Sequence, residues 1–432
     1  MSVLMLLILA PVGLLVTVMC LHKPLSVGLP AFAASIPFGS LLGIGHSRFG
    51  TLSSILGLFV LVGLLLRLMV SRRQPAPLSP TVPLWLGFLA VAASTTLWSL
   101  DASLTANGIL EIGSLVAIYA LISMSKVDHE IVRRVELGLI VGGVLAVGYG
   151  LAQLTLLGGF PNDVAGLPAG PGGGRFGNDL LGPNNNAVAF LLPLCICLQR
   201  SVSAPRARIR RLHGVLAFLM FLGIVMTGSR GGLLSAVLCT IVLWANARRG
   251  RRMLATYLVT GIVAGLVAFF LHPFGLAQRD VSTTSSSGRT SIWKVGLAAC
   301  PRYCPIGSGW ETFPIVYART QPTVPGADVL AGSGGSYQPH NVILLVAIEL
   351  GIPGLLLFFA VMGLTVFEAG RLPRSVRGPP LAALLGTYQA SLFLSNLGYK
   401  FYWMAFIMIA LHRSATYLER SRERRGELDP VS

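Results

Sequence analysis

Gln338-Pro339-His340-Asn341-Val342-Ile343-Leu344-Leu345-Val346-Ala347-Ile348-Glu349-Leu350-Gly351-Ile352-Pro353-Gly354 changes character after its fourth residue. The first four residues close a long polar stretch. From Val342 the chain is apolar apart from Glu349, and the run continues to about residue 367. About 20 apolar residues suffice to cross a bilayer as a helix. The reading is a membrane-spanning helix with a histidine at its water-facing mouth, a place where water-soluble chemistry meets a lipid-borne substrate.

The rest of the 432-residue chain agrees with that reading. It is 53% hydrophobic and 11% charged, against about 25% charged in soluble domains. Continuous apolar runs recur near 3–21, 25–45, 50–70, 83–100, 104–124, 136–157, 186–200, 213–227, 231–247, 253–271, 341–367, 379–396 and 401–412. The runs do not alternate, which excludes a β-barrel and predicts an all-α polytopic membrane protein. Pro30 and Pro37 interrupt the stretch 25–45; counting it as less than a full span makes twelve spans, within a range of 11–13. The side on which the N-terminus lies stays open. No basic region precedes the first apolar run, which argues against a cleaved signal peptide.

The net charge of +17 would point to nucleic acid in a soluble protein. Here the basic residues concentrate in short loops: Arg72-Arg73, Arg133-Arg134, Arg206 to Arg211, Arg248 to Arg252, Arg371 to Arg377, and the tail from Arg413 to Arg425. Short loops rich in Lys and Arg stay cytoplasmic, so the charge reads as topology, with membrane lipids as partners and no nucleic acid. The loops 201–212, 248–252 and 368–378 then lie inside, and 158–185, 228–230 and 272–340 outside. The organisation expected is N-terminal spans over 1–157, central spans with Arg-bearing outer loops over 158–271, one large periplasmic loop over 272–340, C-terminal spans over 341–412 and a basic cytoplasmic tail over 413–432. In the large loop Arg279, Arg289, Lys294, Arg302 and Arg319 outnumber Asp280, Glu311 and Asp328. Loops of this length are largely exempt from the charge rule; the other reading is an anion site.

Three outer arginines have glycine neighbours: Arg175 after Gly172-Gly173-Gly174, Arg230 before Gly231-Gly232, and Arg289 after Gly288. A guanidinium gives phosphate two parallel donors and keeps its charge at any working pH. A helix starting near Gly231 would add backbone donors. Each arginine alone also reads as an interfacial snorkeler; three on one side favour a shared phosphate site. His340 reads either as a helix-end residue or as a base able to accept a proton from an attacking hydroxyl. His272, at the loop's other end, is a rival, but Pro273 follows it and no helix opens there. Glu349 lies nine residues after His340, about 13 Å along a helix, too far for a direct bond. A carboxylate within a span is usually paired. No Asp-x-Asp or His-x-x-x-His pattern occurs, so no metal site is expected, and no Gly-x-x-x-x-Gly-Lys-Ser/Thr nucleotide loop is present. Cys20, Cys195, Cys197 and Cys239 lie in apolar runs as packing residues. Cys300 and Cys304 lie in the outer loop, where an oxidising compartment favours a disulfide; one helical turn would set their Cα atoms about 6 Å apart.

Together these motifs resemble the O-antigen ligase family of bacterial inner-membrane proteins, which shares a signature domain with O-antigen polymerases. The residues that carry the resemblance are Ser229-Arg230-Gly231, Gly288-Arg289 with Trp293, Pro305-Ile306-Gly307-Ser308-Gly309 with Phe313, and His340-Asn341 with Glu349-Leu350-Gly351 and Gly354. Gly182-Pro183-Asn184-Asn185 looks like the family's loop element. The likeness covers about 175–360, and the first six spans match only in hydropathy.

The resemblance implies a metal-independent, inverting glycosyltransferase of the GT-C type that needs no cofactor. It would move O-antigen from undecaprenyl pyrophosphate to the lipid A–core oligosaccharide at the periplasmic face of the inner membrane. His340 would be the base and Arg230, Arg289 and Arg175 the pyrophosphate ligands, with Asn184, Asn341, Trp293 and Glu349 in support. An O-antigen polymerase shares this architecture. A protein O-oligosaccharyltransferase shares the domain and usually carries a further C-terminal region that this chain lacks. A non-enzymatic lipid or glycan transporter would show inverted repeats of broken helices, and none is visible.

Overall fold

A computed structural model describes residues 3–38, 51–70, 76–157, 159–160, 175–177, 182–271, 289–327 and 337–424. The helices are α1 Val3–His22, α2 Leu29–Ser35, α3 Leu52–Val70, α4 Thr81–Thr95, α5 Ala102–Ser123, α6 His129–Leu157, α7 Gly182–Ala189, α8 Leu191–Ser203, α9 Ala207–Met226, α10 Arg230–Asn246, α11 Arg251–Leu271, α12 Arg289–Tyr303, α13 Phe313–Thr320, α14 Val342–Arg371, α15 Gly378–Ser391 and α16 Lys400–Glu423. No β-strand forms among the described residues. Several anticipated features lie outside the described residues: Arg72-Arg73, Gly172-Gly173-Gly174, His272, Arg279, Asp280, Gly288, Asp328 and Arg425.

Six helices are long and apolar enough to cross a membrane: Leu52–Val70, Ala102–Ser123, His129–Leu156, the joined Gly182–Ser203, Ala207–Met226 and Val342–Arg371. Gly13–His22, Pro24–Ser35, Thr81–Thr95 and Arg230–Asn246 are shorter apolar helices. The chain is therefore a polytopic helical membrane protein, in which six spans rather than twelve meet the length and hydropathy of a full crossing among the described residues. The proline-interrupted stretch 25–45 breaks up as its prolines demand: a π-turn Pro24–Gly28, then α2, then a 3-10 turn Ile36–Phe38, with 39–45 outside the described residues.

Helix α8 is the axis of the bundle. Every residue from Leu191 to Leu198 is buried, against α9, α15 and α6. Lipid tails are as apolar as Leu, so such helices associate by close packing and shared polar contacts rather than by exclusion of water. On one flank α4, α5 and α16 join through aromatic rings. Trp85 and Trp403 lie 4.6 Å apart, Tyr119 packs on Phe406, and the Tyr119 hydroxyl is 2.6 Å from Thr81 Oγ1.

Part of the long polar excursion is helical, as α12 and α13. Between them, Cys304–Phe313 docks into a break in α14. Gly351 has φ 70° and ψ −171°, a left-handed backbone open to glycine at little cost, and Pro353 follows without an N–H. The break frees backbone groups that the docked segment satisfies. Ser308 N donates to Ile348 O at 2.9 Å, Gly309 N to Glu349 O at 3.0 Å, and Ile352 N to Cys304 O at 2.8 Å. Irregular backbone at membrane depth survives only with such partners inside the protein. A Cβ on Gly351 would lie 2.7 Å from Gly307 N, and one on Gly307 would strike Glu349 O. The other side of the segment rests on the α4–α5 connection: Leu100 N donates to Ser308 O at 3.0 Å and Trp98 Nε1 to Gly307 O at 3.2 Å.

Candidate functional site

The mouth of α14 is held from two sides. Trp293 Nε1, on α12, donates to Pro339 O at 2.8 Å. Asn341 caps α14, its Oδ1 accepting from Leu344 N at 2.9 Å, and its Nδ2 donates to Leu392 O just beyond α15 at 3.2 Å. His340 stands between these two anchored residues with φ 47°, a left-handed conformation in which few non-glycine residues settle. Burial pushes its imidazole pKa down, the nearby positive charge of Arg289 adds to the effect, and the result is about 4. The ring is therefore neutral at pH 7, with a nitrogen lone pair ready to accept a proton.

Arg289 is the first residue of α12, one turn before Trp293. A second arginine group surrounds the start of α10. Ser229 caps that helix, its Oγ accepting from Gly232 N at 3.1 Å, and Arg230 follows as an exposed first residue. The opening turn of α10 leaves backbone N–H groups pointing outward, which favours anions. Buried Arg175 donates through Nε to Thr227 O at 2.7 Å and through Nη2 to Asn184 Oδ1 at 2.9 Å. It ties the α9–α10 turn to the start of α7.

The two groups share one end of the bundle. Helix α10 packs along α15, and Ser235 Oγ donates to Gln389 Oε1 at 2.5 Å. Gln389 is three residues before Leu392, the residue that receives Asn341. Arg175, Arg230, Asn341, His340 and Arg289 are thus linked at one end through α10, α15 and α12. Residues 215–359 match the O-antigen ligase family model. The chain matches no curated protein. The likeness is to that domain and covers less than half of the chain.

The O-antigen ligase match contains Arg230, Arg289, Trp293, His340, Asn341 and Glu349 and ends within α14. Arg175, Asn184, Gln389 and Leu392, which complete the arrangement, lie outside it. Glu349 is set apart from His340. It is fully buried and accepts from Glu311 N and Phe313 N, both at 2.9 Å, at the start of α13. Its place is in α14, where it holds the end of the docked segment. Cys300 and Cys304 are joined at the end of α12 with Cα atoms 4.7 Å apart, closer than the spacing of a regular helical turn. No group of three or more His, Cys, Asp or Glu side chains suited to a metal occurs among the described residues.

Gln389, Leu392, Phe393 and Trp98 did not emerge from the sequence. Leu392 contributes a carbonyl, which every residue has, so no side-chain pattern marks it. Phe393 stacks near Trp293, 6.3 Å between ring centres, and reads in sequence as one more apolar residue. Gln389 did carry a signal, since a lone amide in an apolar helix favours a partner on a neighbouring helix.

Proposed function

We propose that this chain is an O-antigen ligase, an inverting and metal-independent glycosyltransferase of the GT-C type with about twelve spans in the inner membrane. It transfers O-antigen from undecaprenyl pyrophosphate to a sugar hydroxyl of the lipid A–core oligosaccharide at the periplasmic face. His340 removes the proton of the acceptor hydroxyl as that oxygen bonds to the anomeric carbon. The bond from that carbon to the pyrophosphate oxygen breaks, and Arg230 and Arg289 stabilise the leaving negative charge. Arg175 positions the start of α10, and Asn341 and Trp293 hold the histidine. The energy for transfer resides in the donor linkage.

The observation that carries this reading is the neutral His340 beside Arg289, at the end of the bundle where α10 presents Arg230. A proton acceptor next to a fixed cation suits attack by a hydroxyl on a carbon whose leaving group is anionic. Lipopolysaccharide and lipid-linked glycans from a strain lacking the gene test it. A ligase leaves bare core and accumulates long lipid-linked polymer. Accumulation of single repeat units instead makes the chain a polymerase, and unchanged lipopolysaccharide overturns both.

A further inference from the structure

The opposite end of the bundle holds a cavity of about 450 Å³ that the transfer reaction does not use. It lies between the C-terminal ends of α14 and α16, and Arg371, Arg413, Arg420 and Arg424 face it with a single carboxylate, Glu368. That carboxylate is already engaged: it accepts from Ser79 Oγ at 2.7 Å and lies 3.7 Å from Arg413 Nε. Arg413 also donates to Leu78 O at 2.9 Å, and the Arg371 guanidinium stacks 4.1 Å over the Phe367 ring. Among the described residues, no side-chain hydrogen bond or ion pair engages Arg420 or Arg424. The cavity therefore has an excess of positive charge, with Leu364 and Phe367 forming an apolar wall beside it.

We infer that this cavity binds the headgroup of an anionic phospholipid from the leaflet on the protein's basic, cytoplasmic side. Two guanidiniums without side-chain partners among the described residues offer a phosphate paired donors, and the apolar wall of Leu364 and Phe367 suits an acyl chain. Basic pockets between transmembrane helices on this side suit such headgroups. A spare basic surface would carry charge and no cavity, and a cavity for a neutral lipid would not need four arginines.

Full-length protein, stripped of lipid in detergent, is titrated with phosphatidylglycerol and with phosphatidylcholine of the same acyl chains, and bound lipid is counted by native mass spectrometry. Phosphatidylglycerol is expected to bind at least tenfold more tightly. Arg420→Gln with Arg424→Gln should weaken it by roughly tenfold, whereas Arg133→Gln, an exposed basic residue of α6, should leave it unchanged. Arg420→Lys with Arg424→Lys keeps the charge that orients the helix and should still lose several-fold, because the planar fork is gone. Equal binding of the two lipids overturns the proposal, as does an unchanged affinity in the double Gln variant. Inorganic phosphate that competes at equal concentration places a free anion there instead and overturns the lipid assignment.

Discussion

Trp293 holds the carbonyl of Pro339 at 2.8 Å, so the peptide that leads into His340 is oriented from a different helix. A base is useful only where the proton is, and misplacement by about 1 Å can cost on the order of 100-fold. Trp293→Phe keeps the ring and removes the donor. In a purified transfer assay it should be slowed by about tenfold or more while His340→Ala loses at least about 100-fold. Both variants should insert and express normally. A wild-type rate in His340→Ala removes that residue from the reaction.

Arg230 and Arg289 should not tolerate lysine. The substitution keeps one positive charge and loses the paired donors, a charge-assisted hydrogen bond of about 1.5–3 kcal/mol. Each variant should therefore transfer at least about tenfold more slowly at saturating acceptor. If Arg289→Lys matches wild type, two-pronged phosphate recognition at that position is wrong.

The pH profile should be flat where an ordinary histidine would show a step. With its pKa lowered to about 4 by burial and by Arg289, His340 is deprotonated and competent throughout the neutral range, and activity falls only as pH approaches that value from above. Arg289→Gln removes the second cause alone, so the acid limb should move upward in pH. An acid limb centred near 6.5 in the wild type would contradict a half-buried, cation-flanked imidazole.

Glu349 should matter for the docked segment more than for chemistry. Removing its carboxylate takes the acceptor from the buried N–H of Phe313, at a cost of about 1–3 kcal/mol, and from the part-buried N–H of Glu311. Glu349→Ala should lower the unfolding temperature and open the 304–313 segment to protease, while Glu349→Gln, which retains one acceptor oxygen, falls between. Unchanged thermal unfolding in both variants would show that other groups satisfy those donors.

Cys300 and Cys304 are expected to be oxidised in protein isolated without reductant. The loop they close is short and yields little chain entropy, so reduction should change the local shape at the end of α12 and leave the bundle folded. Alkylation followed by mass spectrometry decides it: labelling of both thiols before reduction shows that they do not pair.

Legibility differed between fold and site. The polytopic helical class followed from apolar run length, and the α14 boundary fell where Asn341 meets Val342, because capping and hydropathy are local properties. The full count of crossings was not legible in the same way. Residues 83–100 read as one apolar run, yet α4 stops at Thr95, since the following turn turns aside to hold the docked segment through Trp98 and Leu100. Likewise the stretch 272–340 read as a loop, while α12 and α13 lie within it. Their apolar faces are short and gain stability against each other and against α14.

The sequence by itself determined that this is a helical membrane protein and which arginines and histidine stand near helix ends, because both depend on neighbours along the chain. Tertiary structure decided what surrounds His340. The charge of Arg289, the anchors Trp293 and Leu392, and the tie from Arg175 to Thr227 and Asn184 all join residues distant in sequence. A hydrogen bond or a Coulomb interaction depends on separation in space, and that separation exists only after the helices have packed.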